Sequence, residues 1–279
     1  MTNPWKRLIG LAMAGFIAAC SPQNSGPKLF VMDCGSLTLK DVAGFGLTND
    51  DTPVRTLFVP CYLLQHKGKT MLWEAGLPLA IVGAGKVDIE SLPGAYLEYE
   101  VSLVDQLAEI GMTPAEVDYI ALSHLHFDHI GAANLFAGST WLVQRSEHEV
   151  AFGEKANPAF VPEYYAALET AKTQILDGDH DVFGDGKVTL ISAPGHTPGH
   201  MALLLDMKKT GKLLLSGDLY HFQMSRQLKS VPVFNHDAED TREAMKKVEA
   251  LLAKTGATLW IEHDMELART LKKAPNFYQ

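Results

Sequence analysis

The sequence predicts a layered α/β (α+β) sandwich. Short β-like runs alternate with helix-like runs along most of the chain, and hairpin-like pairs occur among them. No internal repeat of fixed period is present, which sets aside solenoids and propellers. Past an N-terminal leader-like segment, about 250 residues remain, enough for one large domain with a substantial core. The composition, 47% hydrophobic and 20% charged, is that of an ordinary globular protein. A net charge of -9 argues against a nucleic-acid-binding surface, which needs a basic patch.

The leader comes first. Lys6 and Arg7 precede an apolar run, Leu8 to Ala19, that ends in Ile17-Ala18-Ala19-Cys20. A positive start, a short apolar stretch and small residues before a break mark an export signal. The run is too short to span a bilayer, which takes about 20 residues. Residues 1–19 are therefore expected to be a signal peptide. The ending resembles the bacterial lipobox, which implies that Cys20 becomes the lipid-modified first residue. Ser21 after it implies the outer membrane, reached from the periplasmic side. Residues 20–27, polar and rich in Ser, Pro and Gly, suit a flexible tether, and 28–279 is the expected folded domain.

The mature part opens with three β-like runs, Lys28 to Asp33, Thr56 to Gln65 and Thr70 to Trp73. The last two are joined by the polar turn His66-Lys67-Gly68-Lys69. Leu77 to Tyr99, punctuated by Gly and Pro, reads as a long connection of the kind that forms lids or binding loops. Val101, Val104, Leu107, Ala108 and Gly111 fit a helix and its stop signal. Thr113-Pro114-Ala115-Glu116 and Ser146 to Glu149 read as capping boxes. Strands are expected at Val117 to Leu122, Thr140 to Gln144, Val188 to Ala193, His200 to Asp206, Lys212 to Ser216 and Thr258 to Ile261. A helix capped by Asp240 or Thr241 presents Ala244, Met245, Val248, Leu251 and Leu252 on one face. Cys34 and Cys61 leave two readings open, a disulfide in an oxidising compartment or two buried thiols.

The polar clusters fall in a pattern. His124, His196, Asp218 and His263 all lie at or just beyond the C-terminal end of an expected strand. In His124-Leu125-His126-Phe127-Asp128-His129, three imidazoles and a carboxylate occur within six residues, donor types that zinc prefers. Imidazoles crowded in this way gain nothing obvious without a metal. His196 sits in Pro194-Gly195-His196-Thr197-Pro198-Gly199-His200, Asp218 in Ser216-Gly217-Asp218, and His263 in Glu262-His263-Asp264. Gly-x-Ser-x-Gly is absent, so no serine-centred motif competes.

This series of motifs resembles the metallo-β-lactamase superfamily, and within it the N-acyl-homoserine lactonases, over roughly residues 28 to 268. Flanking stretches share in the resemblance: Pro60 to Leu64, His124 to Gly131, Val143 to Glu147 and Ile175 to Asp179. It implies a four-layer αββα sandwich with two metal ions, in that family zinc, at one edge. One metal is then held by His124, His126 and His196, the other by Asp128, His129 and His263, and Asp218 bridges them. A metal-bridging hydroxide would open a lactone ring of a small-molecule substrate, with Asp128 shuttling the proton and no protein nucleophile. That activity is called quorum quenching. Apolar residues of Leu77 to Tyr99 and of Phe222 to Phe234 are expected to wall an acyl-chain pocket.

The chain departs from the family at three places. His221 stands where lactonases commonly carry a substrate-contacting Tyr, and Tyr220 lies one residue earlier; either is a candidate oxyanion donor. Glu74, in Trp73-Glu74-Ala75-Gly76, replaces an Asp that orients a ligand histidine, so its hydrogen bond must shift or fail. Glu262 replaces a usual Gly. His200 is expected to support its loop, and His66, His148, His180 and His236 to lie at the surface or behind the ligands, outside the ligand set. Three other readings remain: a periplasmic metallo-β-lactamase, which Asp218 argues against because those enzymes place Cys or Ser there; an organophosphate or aryl-ester hydrolase; and a metal-binding lipoprotein without activity.

Overall fold

The computed structural model describes residues 26–153 and 160–279. The expected signal peptide, Cys20 and most of the expected tether lie outside them.

Strand β1 (Lys28–Thr38) runs antiparallel to β2 (Thr56–His66), which turns through Lys67 and Gly68 into β3 (Lys69–Trp73) as the hairpin reading requires. The Leu77–Tyr99 connection is not structureless. It contains β4 (Val87–Asp88) and β5 (Tyr96–Glu98), which extend the sheet beyond β1. Helix α1 (Leu103–Glu109) is capped by the Ser102 side chain, which accepts from the Asp105 N–H. After β6 (Tyr119–Ala121) come the one-turn α2 (Phe127–Ile130), β7 (Thr140–Gln144), α3 (Arg145–Phe152) and β8 (Thr173–Leu176). The first sheet has the order β4-β5-β1-β2-β3-β6-β7-β8.

The second sheet is built from β9 (His180–Asp181), β10 (Val188–Ser192), β11 (Met201–Met207) and β12 (Gly211–Leu215). Then follow α4 (Gln223–Leu228), α5 (Ala238–Thr255), β13 (Thr258–Trp260) and α6 (Met265–Ala268). Its order is β13-β12-β11-β10-β9.

Alternation along the strands explains the layers, because successive side chains point to opposite faces. In β1, Leu29 and Val31 face the second sheet while Phe30, Met32 and Cys34 face α1. In β12, Leu213 and Leu215 face the first sheet, while Leu214 packs under α5 against Ala244, Val248 and Leu252. Each fully buried Leu or Val contributes on the order of 2 kcal/mol. Two sheets packed face to face, with α1 outside one and α5 outside the other, make the four-layer αββα sandwich.

Four local expectations need correction or completion. Helix α5 begins at Ala238, because Asp237 accepts from the Glu239 and Asp240 N–H groups and so caps it ahead of Asp240 and Thr241. The box at Thr113 closes through Glu116, whose carboxylate accepts from the Thr113 N–H and hydroxyl, but it starts a single 3₁₀ turn. The box at Ser146 does not form. α3 starts at Arg145, and Ser146 and Glu147 use their side chains elsewhere. Cys34 and Cys61, neighbours across β1 and β2 with Cα atoms 5.8 Å apart, are joined as a disulfide.

Candidate metal centre

Each strand that feeds the site stops a few residues short of it and hands the chain to a polar residue. β6 ends at Ala121 before His124, β10 at Ser192 before His196, β12 at Leu215 before Asp218, and β13 at Trp260 before His263. Helix α2 then turns Asp128 and His129 inward. This turn is held by backbone bonds to the segment after β3. Ala75 N–H donates to the His129 carbonyl at 2.8 Å, and Gly131 N–H to the Gly76 carbonyl at 2.7 Å. The approach is so close that a Cβ on Gly131 would stand 2.1 Å from the Leu77 carbonyl carbon, so only glycine fits.

All seven residues expected as ligands meet at one place, and all but His126 are buried. His124 Nε2 lies 2.8 Å from His126 Nδ1, which lies 3.0 Å from His196 Nε2. Asp128, His129 and His263 form a second group, with Asp128 oxygens 3.8 and 3.7 Å from the Nε2 atoms of His129 and His263. Asp218 stands between the groups. Its Oδ2 is 3.6 and 3.4 Å from His124 and His196, and its Oδ1 is 3.2 and 2.8 Å from His129 and His263.

The outward-facing ring nitrogens of His124, His129, His196 and His263 are occupied, which leaves their inward ones as donors to a cation. His124 Nδ1 meets Ser123 Oγ at 2.9 Å, His196 Nδ1 meets Asn235 Oδ1 at 2.9 Å, and His263 Nδ1 donates to the Phe58 carbonyl at 2.7 Å. His129 Nδ1 lies 3.3 Å from Glu74 Oε2. Glu74 therefore reaches its histidine despite the extra methylene, and its two oxygens also accept from the Ser123 N–H at 3.2 Å. Glu262 accepts from Trp73 Nε1 and the Gly217 N–H, both at 2.9 Å; burial, then the charge of Glu74, pushes it up to about 8.

The electrostatics of the two groups differ. Burial, with the neighbouring imidazoles adding to it, drives His124 and His126 well below the usual histidine range, so both are neutral donors. Burial would lower His129 and His263 too, but Asp218 and its neighbouring carboxylates more than offset it. His129 Nε2 and Asp218 Oδ1 are buried and, although His263 Nε2 stands 2.8 Å from the carboxylate oxygen, neither atom has a partner aligned for a hydrogen bond. Unpartnered buried polar atoms aimed at one point are costly unless something binds there. Five imidazoles and two carboxylates fit zinc by donor type.

The two candidate oxyanion donors separate. Tyr220 turns away from the cluster: its hydroxyl donates to Glu249 on α5 at 3.0 Å, and its ring packs among the residues under α5. The expectation of Tyr220 at the site is corrected: Gly217–Leu219 form a 3₁₀ turn, in which residues three apart share a side, so His221 lands beside Asp218 and Tyr220 points elsewhere. His221 faces the site, with Nε2 3.0 Å from Asp218 Oδ2. Burial lowers its pKa, against the pull of Asp218.

His200 supports its loop as expected. Its Nδ1–H donates to the Ala193 carbonyl and its Nε2 accepts the Asp218 N–H, both about 3 Å. Burial holds it down at about 3, which fixes it as a neutral acceptor. His66 is buried far from the site and pairs with Asp185 at 2.8 Å. Three supporting residues, Ser123, Glu147 and Asn235, escape sequence reasoning. Ser123 has only its adjacency to His124 as a signal, Glu147 only its place in the Val143 to Glu147 stretch that shares in the family resemblance, and Asn235 none beyond lying in a polar stretch.

Beside the cluster opens a cavity of about 470 Å³. His126, Asp128, Asp218, His221 and His263 line part of it; most of the remaining wall is apolar, with Leu37, Phe45, Leu57 and Phe234 among its residues, and Lys40 and Asp41 also border it.

Comparison with known proteins agrees with this geometry. The family model described as the metallo-beta-lactamase superfamily matches residues 54–256. An N-acyl homoserine lactonase AttM of Rhizobium radiobacter is 30% identical over 267 residues, covering 90% of this chain and 98% of the relative. An N-acyl homoserine lactonase from a Bacillus species is 31% identical over 232 residues, covering 81% and 90%. A solved N-acyl homoserine lactone hydrolase, with the product N-hexanoyl-L-homoserine at its catalytic metal centre, superposes with a TM-score of 0.77 at 26% identity. It covers 91% of this chain and 100% of its own. The chain belongs to the metallo-beta-lactamase superfamily and, within it, to the hydrolase family that holds the N-acyl homoserine lactonases.

Proposed function

We propose that the protein opens the lactone ring of N-acyl homoserine lactone-like substrates, with two zinc ions held in the seven-residue cluster. The observation that carries this reading is the cluster's position on the wall of a mainly apolar cavity of about 470 Å³, to which Lys40 and Asp41 add the other charged side chains. A polar ring with an apolar tail is the ligand such a space suits. The names of the relatives support the same substrate class.

His124, His126 and His196 would hold one ion and Asp128, His129 and His263 the other, with one oxygen of Asp218 toward each. Bound there, the ions would bring the pKa of a water toward neutrality and polarise the scissile carbonyl. The side chains supply the rest. Neither serine nor cysteine lines the cavity among the described residues, so water is the nucleophile. Asp128 faces the cavity beside His129 and His263, placed to take a proton from the water and return it to the leaving alkoxide. His221 holds the cavity side of Asp218, and Phe45 and Phe234 meet its ring edge-on at 4.8 and 6.1 Å, keeping bulk water off that flank.

We also read the chain as exported and lipid-anchored at Cys20. The Cys34–Cys61 disulfide supports an oxidising compartment.

The test offers zinc-loaded protein a short-chain and a long-chain acyl homoserine lactone, a simple lactone and a β-lactam, with Asp218→Ala as control. Lactones should turn over, the β-lactam should not, and the control should be inactive. Cleavage of the β-lactam alone would overturn the use of Asp218 to set that class aside. No turnover despite two bound zinc ions would overturn the substrate assignment.

A further inference from the structure

We propose that Glu147 is a positioning residue that locks together the two loops bearing His124, His126 and His196; this rests on the two-metal reading above. Glu147 lies in the first turn of α3 and is 2% exposed. One of its oxygens accepts the Leu125 N–H at 3.0 Å and the other the Gly199 N–H at 2.8 Å. Leu125 sits between His124 and His126, and Gly199 follows His196 by three residues. A single planar carboxylate thus spans both loops, one oxygen to each.

Close packing enforces the arrangement. A Cβ on Gly199 would lie 2.5 Å from the Glu147 Cβ and 2.6 Å from its backbone nitrogen, so the loop lies flush against α3. Ser146 fastens the same loop again by donating its hydroxyl to the Pro198 carbonyl at 2.8 Å. His126 and His196 come from different loops, yet their nitrogens stand 3.0 Å apart. That spacing depends on how the loops sit relative to one another, which is the coordinate Glu147 fixes. The supports of the other half differ: Glu74 contacts His129, and the Phe58 carbonyl holds His263. Loss of Glu147 should therefore act on one metal site and spare the other.

The test is a zinc titration of metal-stripped protein against a chromophoric chelator, with thermal unfolding of the stripped forms and steady-state kinetics alongside. Glu147→Gln keeps the size but turns an N–H donor toward one of the two backbone N–H groups, so one loop is released. The expected result is two zinc sites in the wild type and, in the variant, an affinity at one site lower by about 10–100-fold. The other site should be unchanged, and kcat should fall while KM stays near the wild-type value. Ser146→Ala, which loosens one loop only, should give a smaller loss at the same site, and it decides the matter where Glu147→Gln does not fold. Unchanged affinity at both sites overturns the proposal, whatever the unfolding temperature. So does an equal loss at both sites, which would mark Glu147 as general support of the fold. A wild type that takes up fewer than two zinc ions overturns the two-metal reading and this proposal with it.

Discussion

Glu74 has a backbone φ of 66°, a conformation that costs a residue with a side chain about 1 kcal/mol or more. The return is visible: from that turn its carboxylate reaches both the Ser123 N–H and His129. Residue identity alone predicted that the longer acid would shift or fail, and the backbone resolves it as a shift. Tyr220 and His221 show the opposite limit. Both were chemically plausible donors, and one step along the backbone decides which faces the cavity. Tyr220 is buried against Glu249, and burial, reinforced by that carboxylate, raises its pKa, so the phenol stays protonated. Tyr220→Phe should therefore cost about 1 kcal/mol of stability and leave turnover close to wild type. His221→Ala should lower kcat by about 10²-fold with KM little changed. Kinetics and denaturant unfolding on both variants check this, and the reverse pattern would return Tyr220 to the site.

Strands and their connections are the next scale. The sequence located β7 to the residue and β2, β3 and β10 to β13 within one or two, because apolar alternation and turn residues are local signals. It missed β4, β5, β8 and β9 and the short helices α2, α4 and α6, and it ended β1 at Asp33 instead of Thr38. β4 and β5 are two and three residues long and exist only because β1 offers β5 a pairing edge and β5 in turn offers one to β4. Cys34 and Cys61 were undecidable in sequence for a related reason: their proximity follows from the register of β1 on β2. The bond closes a separation of 27 residues, so the Cys34→Ala/Cys61→Ala pair should lose about 3.5 kcal/mol in urea unfolding. Wild-type protein taken from the cell envelope should show neither cysteine as a free thiol. Titration of both as thiols would remove the support that the disulfide lends to export.

For the whole molecule, what matters is which ends lie together. The cavity collects Leu37 and Leu39 from the far end of β1, Phe45 and Leu57, Leu92 and Pro93, and Val233 and Phe234. Of these, only the segments around Leu92 and Phe234 were expected as walls. The chain enters at the opposite end of β1, at Lys28, roughly 30 Å of extended strand from Leu37. The site thus lies at the opposite end of β1 from Lys28, where the proposed tether would join the folded domain. Cys20→Ser should release the protein from the membrane fraction into the soluble periplasm and leave its kcat/KM for a lactone unchanged. Retention in the membrane would overturn the lipid anchor, and a changed kcat/KM would overturn the separation of site and tether.

The sequence by itself determined the ligand chemistry and the layered class. Donor identity is written in the residues, and His124 to His129 supply four of the seven by local spacing alone. It also placed each ligand after a strand, because strand ends carry their own punctuation. Tertiary structure alone decided what stands behind the ligands. Glu147, Asn235 and the Phe58 carbonyl act across separations of 22 to 205 residues. Contacts of that kind depend on how the two sheets pack, and packing is a property of the whole chain rather than of any window along it.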